Sequence, residues 1–123
     1  MRLLAAVFAL LLTAAPAWAC RAPENAMQTG PLSFAALPAP IPLGQPFALK
    51  LAACDAKPDR VAVDATMPAH RHGMNYRASV TQVSPGEFRA EGLLFHMPGE
   101  WEFVFDLWYG ERRERLTHRV TLR

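Results

Sequence analysis

The sequence predicts an all-β fold: an immunoglobulin-like antiparallel sandwich of about seven strands. Three observations carry this. From position 32 onward apolar residues alternate with a period of two, not 3.6. Turn residues punctuate the alternation at spacings of about eight to twelve residues. Eleven prolines and seven glycines in 123 residues leave little room for long helices.

The elements follow in order. Leu32 and Phe34 open a first strand, ended by Pro38, Pro40 and Pro42. Phe47, Leu49, Leu51 and Ala53 alternate with Ala48, Lys50 and Ala52, and Lys57-Pro58-Asp59 breaks that strand. Val61, Val63, Ala65 and Met67 alternate again. A weaker strand is expected over 75–83, with Tyr76, Ala78 and Val80 on one face. Ser84-Pro85-Gly86-Glu87 sets Pro and Gly at the central positions of a tight turn. The strand over 88–97 carries Gly92, which marks a bulge. Met97-Pro98-Gly99-Glu100 is a second Pro-Gly turn. Trp101, Phe103, Phe105 and Leu107 then face one way, Gly110 marks a hairpin, and Leu116, His118, Val120 and Leu122 share a face.

The start of the chain reads differently. Arg2 precedes an apolar run from Leu3 to Leu12, too short to span a bilayer comfortably, and Ala17-Trp18-Ala19 supplies a small-x-small cleavage pattern. Residues 1–19 are therefore expected to be a secretory signal, followed by an extended lead-in over 20–30 and the sandwich over 31–123. Secretion places the remainder in the periplasm or outside the cell. Cys20 then has two readings. Ala17-Trp18-Ala19-Cys20 weakly resembles a lipoprotein box, but Trp18 is bulky where such boxes take small residues. In an oxidising compartment Cys20 pairs with Cys54. The disulfide is favoured, because a lipid on Cys20 leaves Cys54 as an odd thiol.

Composition excludes several functions. Thirteen Lys and Arg against eleven Asp and Glu give a net charge of +2, without the basic stripe of a nucleic-acid binder. With 51% hydrophobic and 20% charged residues this is not a disordered chain. Two cysteines are too few for a disulfide scaffold or a four-cysteine zinc site. An enzyme ranks last. No carboxylate stands beside the histidines to act as general base, and no Ser-His-Asp arrangement or phosphate loop is visible.

The chemistry concentrates in Met67-Pro68-Ala69-His70-Arg71-His72-Gly73-Met74 and His96-Met97, which hold three of the four histidines. Strand parity brings the two segments together. If 61–67 runs up, 75–83 down and 88–97 up, both emerge at one end of the sandwich. Imidazole suits zinc, copper or nickel, whereas thioether sulfur prefers Cu(I), and neither segment contains a carboxylate. The expected cargo is copper. The expected ligands are His70, His72, Met74 and His96, with Met97 and Met67 as weaker donors. Met67 also continues an inward-facing set, and His118 lies on an apolar face, so packing competes with ligation for both. Gly73 is expected to let the loop turn sharply.

Met67-Pro68-x-His70-x-His72-Gly73-Met74, followed by Leu94-Phe95-His96-Met97-Pro98-Gly99-x-Trp101, resembles the YtkA-like group of small secreted proteins, themselves similar to the periplasmic domain of FixH-type oxidase assembly proteins. The resemblance spans roughly residues 44 to 122. It implies an immunoglobulin-like sandwich with a periplasmic, copper-linked role, and as a partner a cuproprotein or an oxidase. Unlike FixH-type proteins, this sequence shows no transmembrane anchor after the signal. The competing expectation is a structural or protein-interaction module of the cell envelope, with Trp108 and Tyr109 marking its contact surface.

Overall fold

In the computed structural model, residues 9–14 and 19–123 are described. Most of the expected signal segment, residues 1–8 and 15–18, lies outside the described residues. The alternating sequence resolves into β1 (Met27–Thr29), β2 (Leu32–Leu37), β3 (Phe47–Ala52), β4 (Arg60–Met67), β5 (His72–Gly73), β6 (Ser79–Ser84), β7 (Glu87–Leu93), β8 (Gly99–Tyr109) and β9 (Arg112–Leu122). Among the described residues no helix is long and apolar enough to cross a membrane.

The strands form two antiparallel sheets, one ordered β1-β2-β3-β7-β6 and the other β5-β4-β8-β9. The order β2-β3-β7-β6 facing β4-β8-β9 is that of the two sheets of an immunoglobulin sandwich. Period two decides which side chains lie between them. Trp101, Phe103, Phe105 and Leu107 of β8 are all fully buried, as are Phe34, Leu49, Ala65 and Phe95. Each large side chain so buried contributes about 1.5–3 kcal/mol relative to exposure. Outward residues of β8 meet β9 instead: Arg115 makes two hydrogen bonds to Asp106, and Arg119 bonds Glu102 and Glu100.

Several expectations change in detail. Among the described residues nine strands form rather than seven, because β1 arises within the lead-in and β5 within the histidine loop. The strand expected from 75 begins only at Ser79, and Tyr76 is 60% exposed. The segment between β5 and β6 has to cross from one sheet to the other, so the connection is not a hairpin. The reversal lies at the β4–β5 turn instead and β6 keeps the direction of β5, so the parity argument keeps its conclusion on a different topology. Gly92 does sit in a bulge: Phe47 pairs with Leu93 but Leu49 with Ala90, and Gly92 takes φ +81°.

The two ends of the sandwich differ. Cys20 is bonded to Cys54 just beyond β3, with Cα atoms 5.5 Å apart. Gly86, in the β6–β7 turn, backs onto this bridge; a Cβ there would come within 3.0 Å of the Cys20 sulfur. Sulfur committed to a disulfide carries no thioether-linked lipid. The opposite end holds the turn between β4 and β5, the segment between β7 and β8, and the loop before β3. That last loop docks through a parallel bridge from Leu43 to Phe95 and a Gly44 N–H donating to the Phe95 carbonyl at 2.8 Å.

Candidate metal centre

The β4–β5 turn is built by one carbonyl. Met67 C=O accepts from the N–H groups of His70 (3.1 Å) and Arg71 (3.0 Å). Pro68, second in this turn, presets φ for it. Arg71 then takes the left-handed conformation, φ +55°, which returns the chain to β4. The sequence pointed to Gly73 as the flexible position. The structure corrects this: Arg71 bears the positive φ, and Gly73 is an ordinary strand residue opposite Thr66.

The pairing decides where the histidines go. His72 lies directly opposite Met67, so both side chains share the inner face. His70 stays exposed at the tip of the turn. Its ring lies 5.7 Å from that of His72, with the two planes at 24°. His96 arrives from the other sheet, just after β7, and its ring centroid is 5.3 Å from that of His72. Two imidazoles bound to one ion at about 2.0 Å would place their centroids roughly 4.5–6 Å apart. Both observed separations fall in that window.

Hydrogen bonding distinguishes the ring nitrogens. His72 Nδ1 lies 3.1 Å from the Gly73 carbonyl oxygen. A carbonyl only accepts, so in the neutral ring Nδ1 carries the proton and Nε2 keeps its lone pair. His96 Nδ1 is buried with no hydrogen-bond partner. Leaving such a group unsatisfied costs about 1–3 kcal/mol.

The remaining expected donors are spread around this pair. Met67 is 1% exposed and packed in the core, its methyl end against Gly99, where an added Cβ would stand 3.0 Å from Met67 Cε. Met74 follows on the same face as His72, its N–H donating to the Ala65 carbonyl at 3.3 Å, and it lines a groove along the edge of β4. Met97 is half-buried against the core, and its carbonyl accepts from Trp101 Nε1 at 2.9 Å. His118 is elsewhere, opposite Phe103 on β9 and packed 5.1 Å from the Phe34 ring.

Among the described residues no three His, Cys, Asp or Glu side chains stand together in a metal-holding group. The imidazoles are close pairwise, through His72. A third donor is then either His70, after a shift of its exposed ring, or a thioether. No family model matches this chain, and no curated protein or solved structure does.

Sequence reasoning missed the wall of the site. Trp101 is fully buried, its ring 5.6 Å from His96 and 6.1 Å from His72, nearly perpendicular to both. Phe95 stacks on it at 4.3 Å with planes 4° apart. The alternation marked Trp101 as core, and nothing in that pattern says that its neighbours are imidazoles. The nearest acidic residues along β8, Glu100 and Glu102, are both engaged by Arg119. The wall beside the imidazole pair is therefore aromatic, and the two β8 carboxylates flanking Trp101 are already paired.

Proposed function

We propose that this chain is a periplasmic copper-binding protein, a carrier, chaperone or buffer whose cargo sits among His72, His96 and His70 at one end of the sandwich. The observation that carries the reading is the meeting of His72 with His96, whose buried Nδ1 has no other partner. Nitrogen donors from separate segments, with Met67, Met74 and Met97 nearby in those segments and no carboxylate in either, suit a soft, low-coordinate cation. Zinc sites are filled by Cys, His, Asp or Glu, and only histidine is at hand here. The exposed His70 gives the entry side, where a partner cuproprotein or oxidase would exchange ligands with the ion. The secretory pattern of residues 1–19 and the resemblance to YtkA-like proteins both support a location where copper is handled.

For the alternative of an interaction module, the two aromatic residues expected to mark its surface already have partners within the chain. Trp108 is covered by the Arg60 guanidinium at 3.7 Å, and Tyr109 by that of Arg112 at 4.5 Å. The test is metal titration of tag-free protein with competing chromophoric chelators for Cu(I) and Cu(II). One copper ion bound per chain is the expected result. Binding of zinc alone, or of no metal, overturns the reading.

A further inference from the structure

We propose that Trp101 is the positioning residue of the imidazole site, holding His72 and His96 in place before any ion arrives. Where it concerns copper, this rests on the reading above. The two imidazoles come from different sheets, and no hydrogen bond joins one to the other. What they share is the indole, met by both rings at 71–76° between planes. Aromatic pairs at such angles and separations attract through their quadrupoles.

The indole is itself fixed on three sides. Its Nε1–H donates to the Met97 carbonyl, which ties β8 to the segment carrying His96. Phe95 covers one face in a parallel stack. Burial is complete, so no rotation into solvent competes. The Gly99 backbone, at φ +123°, brings β8 in over Met67 just before Trp101. One side chain thus sets both the position of the Met97 backbone and the orientation of two nitrogen donors. Preorganised donors avoid paying an ordering entropy when the ion binds.

The experiment compares Trp101→Phe with Phe105→Leu in the full chain. Phe105 is equally buried but packs on Phe34 and Phe103, away from His72 and His96. The first readout is the imidazole ¹H–¹⁵N spectrum without metal. Trp101→Phe should move the His72 and His96 signals and leave His118 in place; Phe105→Leu should leave His72 and His96 unmoved. Phe95→Leu removes the stacking partner and should repeat the Trp101→Phe pattern, which covers the case of a Trp101→Phe protein that does not fold. The second readout is copper competition. Trp101→Phe should weaken affinity about tenfold and alter the Cu(II) electron paramagnetic resonance spectrum, with Phe105→Leu within twofold of wild type. Unmoved imidazole signals, or unchanged copper affinity and spectrum, in a folded Trp101→Phe protein overturn the proposal. If wild-type protein binds no copper while the imidazole signals still respond to Trp101→Phe, the copper reading falls and the positioning role stands.

Discussion

The ring of His72, in a strand of one sheet, lies 5.3 Å from the ring of His96, which follows a strand of the other. The pair therefore bridges the two layers of the sandwich at one end. Replacing either residue with Ala should lower Cu(II) affinity by more than tenfold, because in the proposed site each supplies a nitrogen donor. His118→Ala, distant from the pair, should leave affinity within twofold. Chelator competition on the three variants checks this. Equal affinities across all three would remove the site.

The thioethers should act on the other oxidation state. Met67 is opposite His72 and reaches Gly99 at the start of β8, whereas Met74 lines the edge of β4. Met67→Leu should weaken Cu(I) more than Met74→Leu does, and neither should change Cu(II) binding much. Leu is close to Met in volume, so the packing loss in the core stays below about 1.5 kcal/mol. X-ray absorption of Cu(I)-loaded protein should lose its copper–sulfur scattering in the variant that removes the true donor.

The disulfide should matter for stability and not for metal. Replacing Cys20 and Cys54 together with Ser should cost about 2–4 kcal/mol in denaturant unfolding. Copper affinity should stay within twofold, since the bridge lies against the β6–β7 turn at the far end. A large loss of affinity in a folded double variant would contradict this separation.

Acid should weaken the outer face of the four-stranded sheet. The hydrogen-bonded guanidinium of Arg115 holds the Asp106 carboxyl below its usual range. A carboxyl depressed in the folded state adds stability above its unfolded pKa, and that stability is lost as pH falls through the folded value. The contribution should therefore be constant near neutrality and decline below about pH 4. For a pair this close to solvent it is small. Asp106→Asn should flatten the acid limb of a stability–pH curve and leave the rest unchanged.

Arg71→Gly gives a check on the turn. Its left-handed φ suits glycine, so the change should be neutral or stabilise the protein by up to about 1 kcal/mol in thermal unfolding. A loss of more than that would mean that the Arg71 side chain itself holds the loop.

The long alternating strands were legible because their period is unambiguous: β4 and β8 bury every second residue, Val61 to Met67 and Trp101 to Leu107. The Pro85-Gly86 turn and the Gly92 bulge were legible because glycine is placed where φ is positive. β5 escaped because two residues cannot show a period, and its existence depends on the turn that Arg71 closes. Tyr76 was misplaced because local alternation continued into a stretch that must cross between sheets. The two histidine segments could be assigned to one end from strand direction alone. Trp101 could not be assigned to that site, because its role is defined by neighbours from both sheets.

The position of the Cys20–Cys54 bridge gives the molecule a handle and a mouth. The lead-in is clamped at the pole opposite the histidines, so whatever pulls on or holds the N-terminal side bears on the disulfide pole. A surface, tether or fused domain attached there would leave the imidazole pole facing outward. Load applied through that handle would reach the bridge and β3 before it disturbed the donors. Immobilised by its N-terminal segment, the protein should present its imidazole end to solution in a single orientation.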